Sequence, residues 1–298
     1  MKIIETVAEF RQEWANLKEL ESLSLGLVPT MGFLHEGHIS LVKQSVSQND
    51  VTAATIFVNP TQFGENEDFE DYPRDMKSDL DFLDCEGVDI VFVPSLEEMY
   101  PEGFETSINV GSIATRLEGK YRPGHFSGVA TVVCKLLSIC RPDRAYFGQK
   151  DAQQCAVIMA LNRDLCLGSE IVVGETIRSS DGLALSSRNS YLSGSEREKA
   201  LSLSSGLFAA RKLWRSGENA SDRLRSVVLN EILSGNSEVP VEIDYVSVAD
   251  KNTFMEIDRI EEAGNAIILV AAKIGTTRLI DNVAVSYTHL TLPTTPYV

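Results

Sequence analysis

The sequence predicts an α/β fold in which a parallel sheet, covered by helices on both faces, precedes a smaller α+β unit. Over residues 1–176, short apolar segments rich in β-branched residues alternate with segments of helical periodicity. Beyond residue 177 the alternation ends, and two helical segments are followed by three strand-like segments. Repeated strand–helix alternation requires right-handed crossovers between parallel strands. We therefore expect a Rossmann-like doubly wound sheet with a second, smaller C-terminal α+β domain.

The predicted elements follow one another along the chain with short connections. In the first unit, helices are predicted over 5–20, 36–47, 75–85, 128–139 and 151–165, and strands over 25–28, 51–58, 88–93, 145–147 and 170–173. In the second unit, helices are predicted over 194–215 and 220–233, and strands over 241–248, 266–272 and 277–282. We expect two domains, one over residues 1–176 and a smaller one over residues 177–285.

The last stretch of the chain breaks this pattern. Residues 286–298, SYTHLTLPTTPYV, combine Thr and Pro in a way that suits neither a helix nor a central strand. We expect this stretch to be a non-native tail, and we leave His289 out of the candidate site.

Composition restricts the class of partner. The chain of 298 residues is 43% hydrophobic and carries a formal net charge of −16, so nucleic acids and anionic membrane surfaces are not expected partners. Its five cysteines are odd in number and form no CxxC pair, which favours reduced thiols and a cytoplasmic location. No signal peptide and no bilayer-spanning run is predicted. An anionic ligand would therefore need a local cluster of basic residues.

The most informative stretch is LGLVPTMGFLHEGHISL, over residues 25–41, which reads as a strand, a tight turn and the start of a helix. A helix N-terminus presents unpaired amides and partial positive charge, which suits a phosphate. His35 and His38, one turn apart, would flank that anion, and Gly37 would let a ligand approach the backbone. His38 and Ile39 stand where a P-loop needs Lys and Ser or Thr, so a P-loop is excluded. A metal site and a purely structural pair of histidines stay open on this stretch alone.

Polar side chains recur where other predicted strands end. Because the carboxyl ends of parallel strands meet at one edge of a sheet, these side chains should converge on one crevice. They are Gln62 after the strand over 51–58, Lys150, Asp151 and Gln154 after 145–147, and Ser186, Ser187 and Arg188 after 170–173. Taken singly, each is also typical of a solvated surface or a linker. The segment around Arg122 and His125 reads equally well as a basic turn.

Taken together, the motifs carry a family resemblance. They are PTMGFLHEGH, FVNPTQFG, YPR, RPGHFSGV, FGQKDAQQ, DGLALSSRNSYLS and RLIDN, in this order. The series, spanning about residues 1–282, resembles the pantothenate synthetase family, also called pantoate–β-alanine ligases. The HxGH motif alone is shared by a wider superfamily of nucleotidyl-transferring enzymes.

This resemblance implies an ATP-dependent ligase acting through a pantoyl-adenylate, with AMP and pyrophosphate as by-products. It places ATP against Met31, Gly32, Phe33, Leu34, His35, Glu36, Gly37, His38, Gly148, Gln149, Lys150, Asp151, Ile177, Leu185, Ser186, Ser187 and Arg188. Of these, His35 and His38 would stabilise charge on the phosphates, with His38 as proton donor. Lys150 would neutralise the α- and β-phosphates, and Ser187 with Arg188 would hold the departing pyrophosphate.

The resemblance also implies the remaining substrate contacts. Gln62 and Gln154 would bind pantoate, Gln62 would border β-alanine, and Asn59 would support the second step. Mg²⁺ is implied as the partner of ATP, with Asp79 as a possible outer ligand. Gln149 departs from the Glu that some members carry. The family is also typically homodimeric. The resemblance further implies that residues 1–176 bind the nucleotide and pantoate and that residues 177–285 act as a lid.

Two other functions compete with this interpretation. An adenylyltransferase of the same superfamily would need more basic residues for an anionic acceptor than Gln62 and Gln154 supply. A catalytically silent nucleotide-binding protein would not need His35, His38, Lys150 and Arg188 together. A serine hydrolase is disfavoured because the chain has no GxSxG motif.

Overall fold

A computed structural model describes residues 1–20, 22–65, 67–234 and 238–285 of the chain. The tail predicted over 286–298, with His289, lies outside these residues. No helix in the described ranges is long and apolar enough to cross a membrane.

The larger sheet is parallel, as predicted, and it contains six strands where five were predicted. They are β1 (Lys2–Ile4), β2 (Leu25–Thr30), β3 (Val51–Ile56), β4 (Ile90–Phe92), β5 (Arg144–Gly148) and β6 (Glu170–Gly174), in the order β1-β4-β3-β2-β5-β6. From β2 the chain runs through β3 to β4 on one side, and then returns to β5 and β6 on the other. The strand order therefore reverses between β2 and β5, which is where doubly wound sheets bind ligands.

Helices cover both faces of this sheet. Those of the first unit are α1 (Val7–Leu20), α2 (Glu36–Gln48), α3 (Met76–Cys85), α4 (Leu96–Met99), α5 (Glu118–Tyr121), α6 (His125–Cys140) and α7 (Ala152–Asp164). One apolar cluster joins α1, α6 and α7 to the sheet, and a second joins α2 and α3 to it. The predicted doubly wound arrangement is thus confirmed. Strand β1 and the short helices α4 and α5 were not predicted, because three or four residues are too few to show a period.

The second unit is α+β, also as predicted. Helices α8 (Gly194–Arg215) and α9 (Ser221–Leu233) pack against an antiparallel sheet of β7 (Val241–Asp250), β8 (Ala266–Ile274) and β9 (Thr277–Val285). Its core is separate from the core of the large sheet, and it contains Leu207, Trp214 and Ile268. The larger sheet ends at Gly174 and α8 begins at Gly194, so the boundary near residue 177 stays a prediction within this connection.

The two units meet through polar and apolar contacts. The Arg278 guanidinium donates to both oxygens of the buried Glu118 carboxylate, at 2.7 and 2.8 Å, and Tyr245 donates its hydroxyl to Glu118 at 2.8 Å. A small apolar cluster, which includes Leu117 and Leu269, lies beside them. These contacts place the small sheet next to α5 and the N-terminus of α7.

Gly128 lets α6 approach the loop that follows β3. A Cβ at this position would lie 2.2 Å from the Thr61 carbonyl oxygen and 2.6 Å from the Gln62 amide nitrogen, both of them backbone atoms. Atoms this close cannot be accommodated by a side-chain rotation. The close contact between α6 and the loop bearing Gln62 therefore requires a glycine at position 128.

We expect Gly128→Ala to lower Tm by about 2–4 °C, since a net loss of about 1 kcal/mol corresponds to this shift in a domain of about 150–250 residues. Overpacking costs about 1–3 kcal/mol, which exceeds the roughly 1 kcal/mol that alanine contributes within a helix. Thermal unfolding followed by circular dichroism measures the change. Gly194→Ala is the matched control, since a Cβ there meets no atom within 4 Å. A Gly128→Ala variant as stable as this control would contradict the packing argument.

Candidate active site

The loops that follow β2, β3, β5 and β6 enclose a cavity of about 220 Å³ at the carboxyl edge of the large sheet. Its lining contains most of the predicted site residues: Met31, His35, Gly37, His38, Asn59, Gln62, Gly148, Lys150, Asp151, Gln154, Ile177, Leu185, Ser186, Ser187 and Arg188. Gly32, Phe33, Leu34, Glu36 and Gln149 are not among the described residues that line it. The predicted convergence of strand-end loops is therefore present in the structure.

The turn between β2 and α2 is held in place by hydrogen bonds to the Asp79 carboxylate. Gly32 and Phe33 both adopt left-handed backbone conformations, with φ of 83° and 52°. The amides of Phe33 and Leu34 donate to the two oxygens of the Asp79 carboxylate, at 2.8 and 2.7 Å. Ser187 donates its hydroxyl to the Phe33 carbonyl at 3.2 Å, which joins the loop after β6 to this turn. The strained turn is thus fixed from two sides.

These contacts bear on the prediction that Asp79 is an outer metal ligand. Its carboxylate is 2% exposed, both of its oxygens accept backbone amides, and it is not among the described residues lining the cavity. Burial raises its pKa despite the two hydrogen bonds. The structure gives Asp79 an anchoring contact with the turn, and no contact of the described residues supports a metal at this carboxylate. Nor do the described ranges contain a cluster of three or more His, Cys, Asp or Glu side chains suited to a metal.

His35 and His38 sit at the N-terminus of α2, with ring centroids 4.1 Å apart. The Nδ1 atom of His35 accepts the Gly37 amide at 3.1 Å, and Nδ1 of His38 accepts the His35 amide at 3.3 Å. Because these Nδ1 atoms accept, the proton of each neutral ring is assigned to Nε2. A Cβ on Gly37 would lie 2.9 Å from the His35 ring, so this capping arrangement needs glycine.

Both rings are neutral at pH 7. Burial lowers the pKa of His35 to about 4, and the positive charge on Lys150 adds to the effect. Burial also lowers the pKa of His38 to about 3, with the His35 ring as the next cause. At neutral pH the two histidines therefore offer Nε2–H groups as hydrogen-bond donors and carry no full positive charge.

Uncharged amides line the part of the cavity near β3. Asn59 is 1% exposed; its Oδ1 accepts the Tyr100 hydroxyl at 2.7 Å, and its Nδ2 donates to Gln62 Oε1 at 3.1 Å. The Gln62 amide nitrogen also lies 3.1 Å from the Met31 sulfur. Gln154 has no side-chain hydrogen bond to any other described residue, although it faces the cavity. Gln62 is thus oriented by its neighbours, and Gln154 is left with a complete set of donors and acceptors.

Cations line the other part of the cavity, and acidic residues accompany them. Lys150 lies 3.5 Å from the Asp151 carboxylate. Arg188 makes a two-point ion pair with Asp68, with distances of 2.8 and 2.6 Å, and lies over the Tyr72 ring. An anion entering the cavity would meet a lysine and an arginine that are already ordered.

Arg122 and His125, whose sequence reads equally well as a basic turn, also line the cavity. Arg122 pairs with both oxygens of Glu67, at 2.6 Å each. His125 Nδ1 donates to the Gln62 carbonyl at 2.8 Å, and burial, followed by the charge on Arg122, lowers its pKa to about 4. The signal was the RPGH sequence, whose last residue, His125, is the first residue of α6. Its turn residues concealed that the basic side chains point toward Gln62.

An apolar wall, which was not predicted from the sequence, completes the cavity. It is formed by one face of α6, with Val129, Val132, Val133 and Leu136. The spacing of i, i+3, i+4 and i+7 predicts a buried helical face. It cannot distinguish a face that packs on the core from one that borders a ligand.

Comparison with known proteins agrees with this geometry. A family model described as pantoate-beta-alanine ligase matches residues 2–284. A pantothenate synthetase from Acetivibrio thermocellus is 49% identical over 285 residues, which cover 96% of this chain and 99% of that protein. A second one, from Roseiflexus castenholzii, is 50% identical over 282 residues, covering 95% and 98%.

Solved structures give the same result. The crystal structure of pantothenate synthetase from Thermus thermophilus superposes with a TM-score of 0.89 at 41% identity, covering 96% of this chain and 100% of that one. A pantoate-beta-alanine ligase from Francisella tularensis, complexed with beta-gamma ATP and β-alanine, has a TM-score of 0.76 at 35% identity, covering 95% and 97%. This chain belongs to the pantoate–β-alanine ligase family, a family of ligase enzymes.

Proposed function

We propose that the cavity condenses (R)-pantoate with β-alanine at the expense of ATP, forming pantothenate, AMP and pyrophosphate through a pantoyl-adenylate. One observation carries this proposal. The helix N-terminus with His35 and His38 lies in the same cavity as the neutral amides of Gln62 and Gln154 and the cations Lys150 and Arg188. The cavity thus combines a phosphate-binding part with a part suited to a small polar acid.

In the first step, an oxygen of the pantoate carboxylate attacks the α-phosphorus of ATP, and the bond to pyrophosphate breaks. Gln62 and Gln154 bind pantoate without adding negative charge. Lys150 neutralises charge on the α- and β-phosphates, while Ser187 and Arg188 hold the pyrophosphate. Catalysis then consists of positioning and charge stabilisation by donors that are already ordered.

The neutral state of His35 and His38 determines what the two rings can do in this step. Because Nδ1 accepts a backbone amide in both His35 and His38, Nε2–H is the group with which each ring can donate, and both residues line the cavity. We propose that His38 stabilises the developing charge as a neutral hydrogen-bond donor. This refines the proton-donor role implied by the resemblance, since a ring with a pKa of about 3 holds no extra proton at pH 7.

In the second step, the amine of β-alanine attacks the adenylate carbonyl, and AMP departs with the former carboxylate oxygen. The substrate carboxylate needs a cation near Gln62. Arg122 meets this need, because its guanidinium lies 3.4 Å from the backbone carbonyl oxygen of Gln62 and Arg122 lines the cavity. Asn59 supports this end of the site by orienting the Gln62 side chain.

Mg²⁺ is proposed as the partner of ATP. It would spread and neutralise phosphate charge. Asp151 is the closest carboxylate to Lys150 in the cavity and suits a hard cation as a ligand, directly or through water. Most ligands would come from the phosphates and water, because no larger cluster of ligating side chains exists in the described ranges. Because both oxygens of Asp79 already accept backbone amides, we do not propose Asp79 as a Mg²⁺ ligand.

Three broader expectations are also retained as proposals. The division into residues 1–176 and 177–285 separates the large sheet from a lid, whose loop carries Ser187 and Arg188. The chain is proposed to act as a homodimer, as the resemblance implies. Its thiols and its substrates fit a cytoplasmic location.

The substrate dependence of AMP release tests the proposal. Steady AMP release from Mg·ATP should require pantoate and β-alanine together and should match pantothenate formation mole for mole. An adenylyltransferase would instead release pyrophosphate steadily with a phosphorylated acceptor and without AMP. A silent nucleotide-binding protein would bind ATP with no turnover. Either result would overturn the proposed reaction.

His38→Ala should slow adenylate formation by about 100-fold or more, because one preorganised donor to the transition state is removed. The readout is single-turnover pyrophosphate release with pantoate alone. Lys43→Ala is the control: it lies on the same helix, and its exposed side chain pairs with Glu86 away from the cavity. A His38→Ala rate within a few-fold of that control would refute the assigned role.

The pH dependence distinguishes a neutral donor from an imidazolium acid. Since the pKa values of His35 and His38 are lowered to about 4 and 3, both rings are already neutral at pH 6. We expect kcat/KM for Mg·ATP, which reports the free enzyme, to show no fall through histidine deprotonation between about pH 6 and 8. A fall centred near pH 6.5, the ordinary pKa of histidine, would show that a charged histidine is needed.

A further inference from the structure

The RLIDN segment near the end of the described chain was part of the family resemblance, yet the proposed chemistry assigns it no role. It forms part of β9, and its last two residues, Asp281 and Asn282, are both 4% exposed. Neither residue is among those lining the main cavity. Buried polar side chains need partners, and those of Asp281 and Asn282 are found on two of the loops that build the site.

Asn282 is bonded to the loop that carries Lys150. Its Nδ2 donates to the carbonyl of Gln149 at 3.1 Å and to the carbonyl of Lys150 at 2.9 Å. Its Oδ1 accepts the side-chain amide of Gln149 at 3.2 Å. The amide therefore uses both donors and an acceptor on two consecutive residues of one loop.

Asp281 fixes Asn282 and the second loop together. Its carboxylate receives both terminal nitrogens of Arg178, at 2.7 and 2.8 Å, and Arg178 directly follows the cavity-lining Ile177. The same carboxylate accepts the Asn282 backbone amide at 2.7 Å. The start of the loop over 177–188 and the loop over 148–151 are thus bound to adjacent positions on β9.

We propose that Asn282 is a positioning residue for the reaction: it holds the Lys150 backbone so that the ammonium group meets the transferring phosphates. The inference rests on the proposed function, because that function is what gives Lys150 its task. The structure shows why a tether is needed. Lys150 and Asp151 lie in a short turn between β5 and α7, and the Lys150 carbonyl takes its hydrogen bond from Asn282.

Position 282 requires an amide side chain, because the amide both donates and accepts hydrogen bonds there. Aspartate has nearly the same shape but cannot donate, and it would place a carboxylate against two carbonyl oxygens. Alanine would leave both carbonyls without this partner. Because displacement by about 1 Å can cost on the order of 100-fold in rate, both changes should act on the chemical step.

We expect Asn282→Ala and Asn282→Asp to lower the single-turnover rate of adenylate formation by about 10- to 100-fold. The KM for pantoate should change less than threefold, since Gln62 and Gln154 are untouched. Aminolysis of supplied pantoyl-adenylate by β-alanine should also be less affected, because phosphate charge is then smaller. Hydrogen exchange measured by mass spectrometry should rise in peptides covering 148–154 and stay unchanged in peptides covering 59–65.

Tyr245→Phe is the matched control for a purely structural effect. It removes one hydrogen bond to Glu118 between the same two units, and Tyr245 makes no side-chain hydrogen bond to the described residues 148–151. Its Tm should fall while its single-turnover rate stays within twofold of the parent chain.

The outcomes are separable. If the parent chain turns over and both Asn282 variants match it, the positioning role is refuted. It is refuted equally if the variants lose rate only in proportion to their unfolded fraction, or if exchange over 148–154 is unchanged. If the parent chain releases no pantoate-dependent pyrophosphate, the proposed function fails, and the exchange measurement alone decides whether Asn282 holds the loop.

Discussion

The site depends on a left-handed turn that a buried carboxylate holds in place. Gly32 and Phe33 leave β2 in conformations that most side chains disfavour, and Asp79 offsets this strain by accepting the amides of Phe33 and Leu34. The turn sets where α2 begins. The start of α2 in turn sets the positions of His35 and His38. Loss of the carboxylate would therefore displace His35 and His38 without removing a side chain that lines the cavity.

The site contains a local group of basic side chains, although the whole chain carries a negative net charge. At a net charge of −16, the long-range field does not attract ATP, so binding relies on local groups. Arg188 and Arg122 are each ordered by a two-point pair with a neighbouring carboxylate, Asp68 and Glu67. Such pairs keep the guanidiniums in place and limit the cost of burying them before a substrate arrives. The neutral histidines add donors without adding charge.

Much of the architecture could be predicted because its signals are local. Alternating strands and amphipathic helices predict the parallel sheet, and the rule of strand ends predicts which loops meet. The contacts that were missed act across long sequence distances. Asp79 lies more than forty positions from the amides it binds, and Asn282 reaches Lys150 from β9. Arg122 and His125 stand in a turn-rich segment whose composition hides the direction of its side chains.

The small domain acts on the site in two ways. The connection between β6 and α8 carries Ser187 and Arg188, and the last strand, β9, binds the backbone on which Lys150 stands. In the proposed reaction, the large domain alone would present the helix N-terminus and the amides, but it would lack Ser187 and Arg188, the proposed holders of pyrophosphate. The chemistry is thus assigned to the junction of the two units and to neither one alone.

The central claim is that the pantoate carboxylate attacks the α-phosphorus. Pantoate labelled with ¹⁸O in its carboxylate, turned over with Mg·ATP and β-alanine, tests this directly by mass spectrometry of the nucleotide product. We expect one ¹⁸O in each AMP, because the bridging oxygen leaves with the phosphate. Label in inorganic phosphate accompanied by ADP, or AMP without label, would contradict an adenylate intermediate.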